Sequence, residues 1–388
     1  MVKRIAVGID IGSATTQCVA SVVDRSSGTL SIIGTGAAES FGVRKGKIID
    51  ADAASKSVIA ALRRAEKQAG LRIRSAAFSV GGVDLAALRA RGLAAVSRPS
   101  GEISEHDARR AIESAQSNLE PLSNREILHS IPLVYTVDGG IKTMSPIGMT
   151  GAKIECEALF VTALQKDIRN LMRSAELAGI GITDIVAGPL AAGRAIVPRR
   201  YKEVGTLLVD IGASTVSLAV FEEGIPISLE VLPYGSANIT HDLAIGFKMD
   251  LERAEELKQV FDARTMSAKK QLAEIVSARL SDIFDLTNKH LKKIERERLL
   301  PAGVVVTGGG SQLAELIDFT KDCLELPAQI GAVQDAVLPT GIASPQWATA
   351  VGLCLLSQDA AKGRPELGFE LTHKAGNFIW RWIKSLLP

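Results

Sequence analysis

Two segments of this 388-residue chain, one in each half, carry aspartate, glycine and hydroxyl residues in the same order: Asp10-Ile11-Gly12-Ser13-Ala14-Thr15 and Asp210-Ile211-Gly212-Ala213-Ser214-Thr215. In each, an apolar run enters the glycine and a second β-rich run leaves it, Cys18–Val23 in the first and Leu218–Phe221 in the second. The pattern predicts a buried strand, a tight turn and an antiparallel return strand. Gly12 and Gly212 let the backbone turn sharply, so that successive N–H groups, those of Ala14 and Ala213 among them, can point at phosphate oxygens. Ser13, Thr15, Ser214 and Thr215 add hydroxyl donors. Asp10 and Asp210, at the strand ends, suit a Mg²⁺ held through its water shell, as that ion prefers. A single copy reads equally well as an ordinary β-turn. Two copies point to one phosphate site built from both halves.

A third element belongs with the pair. Val304-Val305-Val306-Thr307 runs into Gly308-Gly309-Gly310 and then into the amphipathic stretch Leu313–Cys323. Backbone without side chains can lie flat against an adenine or ribose, and a helix starting there would turn its N-terminus to the phosphates. The elements that must position these loops are two α/β lobes.

The bulk numbers narrow the function classes. Lys and Arg total 45 against 43 acidic residues, a net charge of +2, which argues against a dedicated nucleic-acid binder. The four cysteines, Cys18, Cys156, Cys323 and Cys354, form no CxxC pair, so a disulfide framework or zinc site is not expected. Reduced thiols in a cytoplasmic protein are the better reading. The apolar stretch after Met1 is too short for a signal peptide, and no run reaches the roughly 18 apolar residues of a membrane span. Any membrane attachment is expected to be peripheral.

With its two D-I-G hairpins and V-V-T-G-G-G turn, the chain resembles the actin-like, sugar-kinase and heat-shock ATPase superfamily. Within it, the chain resembles the FtsA family of bacterial cell-division proteins along nearly its whole length. Further segments carry that likeness: Gly42–Asp50, Ile127–Tyr135 with Pro146–Gly151, and Pro233–Asp242. The resemblance implies an actin-like two-lobed α/β fold with duplicated ribonuclease-H-like domains, an inserted subdomain and a C-terminal amphipathic helix. Mapped here, residues 1–83 and 166–201 form the first lobe and 84–165 the inserted subdomain. Residues 202–246 and 301–356 form the second lobe, 247–300 a helical cap, 357–374 a linker and 375–388 the membrane-targeting helix. It further implies ATP with Mg²⁺ as ligand and self-association into filaments. FtsZ, through its C-terminal tail, and other divisome proteins at the inserted subdomain are the implied partners. The implied location is the cytoplasmic face of the inner membrane at the division septum. Glu255 and Lys258 would border the adenosine, and Lys269 and Arg279 match basic positions of the cap that receives the FtsZ tail. The cap is short here: helix Leu251–Asp262 passes almost directly into Ser267–Arg298, without the β-hairpin many relatives carry. The turn Gly212-Ala213-Ser214-Thr215 also has fewer glycines than many relatives.

Fast hydrolysis needs a polar side chain to orient the attacking water. The segment expected to present it, Asp184–Ala192, is apolar and glycine-rich. ATP binding with slow or negligible turnover is therefore expected. A small-molecule kinase is disfavoured because no carboxylate base is evident. A PilM-like assembly-platform protein of a pilus or secretion system shares the lobes but generally lacks such a tail.

The tail starts with Ser357–Lys374, polar and holding Gly363, Pro365 and Gly368, which reads as a tether. Beyond it, at about 100° per residue, Phe378, Ile379, Trp380, Trp382, Ile383, Leu386 and Leu387 fill one arc of roughly 200°. Arg381, Lys384 and Ser385 occupy the rest. A wide apolar face with tryptophans and a basic strip suits an in-plane membrane helix. So short a helix binds weakly alone, and avidity in a polymer would secure it.

Overall fold

In the computed structural model, which describes residues 5–23, 29–120, 122–260, 270–339 and 344–362, strand β1 (Ile5–Ile11) folds back on β2 (Thr15–Val23). Strand β3 (Leu30–Glu39) extends the meander, with buried and half-buried residues alternating at the period of a sheet face. A small hairpin, β4 (Val43–Arg44) and β5 (Lys47–Ile48), precedes helix α1 (Ala51–Ala69). Asp50 caps α1 by accepting from the Ala53 N–H, and Gly70 ends it in the left-handed conformation. Strand β6 (Ser75–Val80) then lies parallel to β1.

The chain next builds a separate four-stranded sheet, of order β7-β10-β8-β9, from β7 (Ala86–Ala95), β8 (Arg125–Val137), β9 (Ile141–Thr143) and β10 (Lys153–Leu164). Helix α2 (Glu105–Ser117) covers it over a core that includes Ile103, Ala111, Ile154 and Phe160. Its start is a capping box of Ser104 and Asp107, each side chain accepting from the other's N–H. The Ser104 donors hold the Asp107 carboxyl well below the usual range.

After helix α3 (Gln165–Leu177), strand β11 (Gly181–Ala187) and helices α4 (Gly188–Ile196) and α5 (Arg199–Val204), the first pattern returns. Strands β12 (Thr206–Ile211), β13 (Val216–Glu222) and β14 (Ile225–Leu232) repeat the meander. Helices α6 (Ser236–Phe247), α7 (Leu251–Gln259) and α8 (Lys270–Lys293) follow. Then come β15 (Val304–Thr307), α9 (Leu316–Leu324), β16 (Ala328–Ile330), β17 (Ala336–Val337) and α10 (Ala348–Lys362). The first sheet has the order β11-β6-β1-β2-β3-β17 and the second β16-β15-β12-β13-β14. With β17 set aside, position and direction match strand for strand. This is the duplicated ribonuclease-H-like arrangement.

Three boundaries differ from the sequence reading. Residues 301–356 do not all join the second lobe: β17 pairs with β3, and α10 packs on α4 and β1. The reason is close backbone contact. A Cβ on Gly8 of β1 would lie 2.3 Å from the Ala350 carbonyl oxygen, and one on Gly352 would lie 1.8 Å from that of Ala191. Second, α10 runs to Lys362, so the linker does not begin at Ser357. Its Asp359 is gripped by the buried Arg194 of α4 (Nε to Oδ2, 2.7 Å), which also reaches Asp335 at 3.0 Å. Third, α8 ends at Lys293 rather than Arg298, where Glu295 turns left-handed (φ 58°) and Arg296 reaches across to Glu222. Lys269, most of the linker and the whole amphipathic segment 375–388 lie outside the described residues.

Helix propensity favours Ala over Gly by about 1 kcal/mol. Gly352→Ala should nonetheless destabilise the protein by about 1–3 kcal/mol, because the new methyl has no room against α4. Denaturant unfolding measures the sign, and a gain in stability would show that the α10–α4 contact is looser than described.

Candidate functional site

The two hairpins point their turns at one cleft of about 800 Å³ between the sheets. In each turn the glycine N–H donates to a threonine carbonyl three residues on, Gly12 to Thr15 at 3.1 Å and Gly212 to Thr215 at 2.9 Å. The second turn is seated on the start of α6. Ser236 N donates to Gly212 O (2.9 Å), Ala237 N donates to Ala213 O (2.8 Å), and a Cβ on Gly235 would strike Ala213 at 2.6 Å. Asp10, Gly12, Ser13, Ala14 and Thr15 line the cleft from one side; Asp210, Gly212, Ala213 and Thr215 line it from the other.

The triple-glycine turn closes the second side. Gly308 has φ 84°, and a Cβ there would sit 2.3 Å from Asp210 Oδ1; one on Gly310 would press on Ile211, while Gly309 faces open space. The expected helix does not follow at once. Gly309–Gln312 forms a single 3₁₀ turn, Leu313 is extended, and α9 starts only at Leu316. Turn backbone, rather than a helix N-terminus, therefore borders the cleft.

Asp10 and Asp210 carry the electrostatics. Burial, and then the Asp10 charge, push the Asp210 carboxyl up to about 7. Burial also raises Asp10, against the pull of the Ser79 hydroxyl that donates to its Oδ1. Two half-buried carboxyls held in repulsion across a cleft would be favoured by a cation between them. Among the described residues no group of three or more His, Cys, Asp or Glu could hold a metal ion. A donor set of two carboxylates fits a hydrated Mg²⁺ whose remaining ligands are water and phosphate oxygens, and does not fit an all-protein cage. The residues present thus suit Mg²⁺ with a nucleotide: Asp10 and Asp210 for the ion's water shell, and the turns for the phosphates.

Ser214 does not line the cleft. Its hydroxyl instead lies 2.6 Å from that of Ser13 on the facing hairpin, and Ser13 Oγ also accepts from Gly46 N at 2.9 Å. Glu255 and Lys258 of α7 line the cleft as a pair (2.7 Å) braced by the Thr240 hydroxyl, which donates to the same Glu255 oxygen at 2.6 Å. Burial raises the Glu255 carboxyl, but the donors Lys258, Thr240 and Gln259 outweigh it and leave it below its ordinary value. Arg279 of α8 holds Asp242 through two bonds of 2.7 and 3.1 Å, Asp282 at 3.0 Å, and stacks over Tyr234. Of the segment Asp184–Ala192, only Gly188 and Pro189 line the cleft.

Sequence reasoning missed several lining residues, among them Gln17, Ser79, Gln346 and Thr349. Gln17 was legible in principle, because the turn sets its register opposite Asp10. Ser79 precedes the pair Gly81-Gly82, a strand-to-glycine signal like the others. Gln346 and Thr349 belong to no local motif.

The chain matches two family models: "Cell division protein FtsA" over residues 207–352 and "SHS2 domain inserted in FTSA" over residues 82–162. It is 31% identical to the cell division protein FtsA of Bacillus subtilis, across 96% of this chain and 88% of that one. With the FtsA of Escherichia coli it shares 25% identity over 99% and 98% of the two chains. Among solved structures it is similar to a PilM–PilN type IV pilus biogenesis complex, with a TM-score of 0.65 and 19% identity over 90% of this chain and 97% of that one. MreB 5 of Spiroplasma citri bound to AMPPNP gives a TM-score of 0.54 at 12% identity, over 94% and 98%. At these identities the two structures speak for the actin-like fold alone.

A carboxyl whose pKa is raised by folding binds its proton more tightly in the folded state. It therefore costs nothing below its unfolded pKa, costs more as pH rises from there, and costs the full amount above its folded pKa. Asp210→Asn should raise the Tm of ligand-free protein in EDTA by a few degrees at pH 8, with the gain shrinking as pH falls below about 7 and lost near the ordinary carboxylate value of 3.8. A pH-independent difference, measured by calorimetry, would show that the carboxylate pair is not the strained element.

Proposed function

The chain belongs to the FtsA family of cell-division proteins, and from that premise we propose that it is an ATP-binding, filament-forming adaptor that ties FtsZ filaments to the membrane. The observation that carries the nucleotide reading is the convergence of two hairpin turns and one triple-glycine turn, from two separate sheets, on a single cleft. In this reading MgATP bridges the lobes: turn N–H groups hold the phosphates, Asp10 and Asp210 orient the hydrated ion, and Glu255 with Lys258 borders the adenosine. The ion, when bound, neutralises charge on the phosphates and on the carboxylate pair. Turnover is slow or negligible, since the stretch after Asp184 offers the cleft only Gly188 and Pro189. The nucleotide then acts as a ligand that locks the lobes together and sets the shape of the subunit for polymerisation.

The inserted sheet of β7–β10 would receive other divisome proteins, and the cap of α7 and α8 the FtsZ tail, with Lys269 and Arg279 as basic contacts. For Arg279 this requires sharing a guanidinium already held by Asp242 and Asp282. Residues 375–388 would lie in the membrane plane on the cytoplasmic face of the inner membrane at the division site. The PilM-like alternative gains nothing beyond the shared fold.

Removing Gly376–Pro388 should abolish co-sedimentation with liposomes while leaving nucleotide binding intact; unchanged sedimentation would refute the anchor. Steady-state phosphate release with MgATP should fall well below one turnover per second, and a rate near that value would refute the locking role.

A further inference from the structure

The Mg²⁺–nucleotide reading gives no role to Gln17, a polar residue of the cleft. Gln17 stands on β2 directly opposite Asp10 on β1, so the two side chains leave the same face of the sheet. It lines the cleft and is only 7% exposed, yet its Oε1 is sealed from solvent and has no hydrogen-bond partner. Leaving a buried acceptor unpaired costs about 1–3 kcal/mol. Such a cost is commonly removed by the ligand for which the site is built.

The chemistry of the acceptor selects among the ligand's groups. Phosphate oxygens accept hydrogen bonds and offer none to an amide oxygen at neutral pH. The cleft hydroxyl of Ser79 is already spent on Asp10. Mg²⁺ gives up its water reluctantly, and a water bound to it is a strongly polarised donor. The second hairpin offers no equivalent: opposite Asp210 stands Ser217, whose side chain is much shorter. The cleft is therefore asymmetric, with its long unpaired acceptor on the first hairpin alone.

We propose that Gln17 is a metal-positioning residue, whose Oε1 accepts a hydrogen bond from a water of hydrated Mg²⁺ beside Asp10 and Asp210. The inference rests on the MgATP reading above and adds a third outer contact to the ion. It makes Gln17 matter for nucleotide only when the metal is present. An amide turned the other way would donate from Nε2 to a phosphate oxygen, and would then matter equally with and without metal.

The test is the affinity of the full chain for a fluorescent ADP, read by anisotropy in saturating Mg²⁺ and again in excess EDTA. Gln17→Leu should weaken binding roughly ten- to a hundredfold in Mg²⁺, the worth of a charge-assisted hydrogen bond, and leave the EDTA value unchanged. Gln17→Glu, which keeps an acceptor and adds charge, should retain or lower the Mg²⁺ concentration at half-saturation and weaken binding in EDTA. If Leu does not fold at this buried position, shown by a lost thermal transition, the Glu variant decides alone. Equal loss under both conditions, no loss in Mg²⁺, or a Glu variant needing more Mg²⁺ overturns the assignment. Failure of the unaltered protein to bind the nucleotide at all would instead sink the MgATP reading, and this inference with it.

Discussion

Two carboxylates that repel each other across a shared cleft are the constraint on which the rest of this structure depends. Asp10 and Asp210 lie at the end of the first strand of each sheet, half-buried, and desolvation raises both carboxyls. Neither position is comfortable without a cation, and the surroundings act to hold them there. Ser79 donates to Asp10, and Gly308 presses its backbone against Asp210, where any side chain would collide. The tight turns after each aspartate fix where the carboxylates point. The pair thus carries an electrostatic cost built in by folding, with both carboxyls above their ordinary range.

Holding that pair together requires the sheets to be fixed relative to one another, and α4 packs against β13 so closely that a Cβ on Gly193 would lie 2.4 Å from the Phe221 ring. After completing the second sheet the chain returns as β17 and α10 to the first, where it backs α4. Glycine and alanine at Gly8, Ala191, Ala350 and Gly352 bring helix and strand backbones into contact, where dispersion is densest and small displacements are resisted. Arg194 reinforces the crossing by joining α4 to Asp359 and Asp335. Removing one partner of so buried an ion pair would leave a charge uncompensated. Between the two hairpin turns themselves the link is light: the Ser214 hydroxyl donates to that of Ser13 at 2.6 Å.

Much of the site was legible in the sequence, for a local reason. A buried strand that must reverse at once needs glycine at the turn, and the residues around that glycine are thereby placed. Asp10, Asp210, Gly12 and Gly212 were found this way. Lys258 and Glu255 came from likeness rather than from any local rule, and both line the cleft. The helix after Gly310 was misplaced because the triple glycine takes a 3₁₀ turn first, and Leu313 extends the chain before α9 can start.

By itself the sequence determined the duplication, the hairpin registers and the glycine turns, since each follows from residues adjacent along the chain. Only the tertiary structure decided that α10 belongs with the first sheet, that α10 swallows the start of the expected linker, and that Arg194 is buried among carboxylates. It alone decided that Gln17 is left without a partner and that Asp210 is pushed toward neutrality. These are matters of which backbones approach and which groups lose water. They depend on neighbours far apart in the chain, and no local pattern of residue types encodes them.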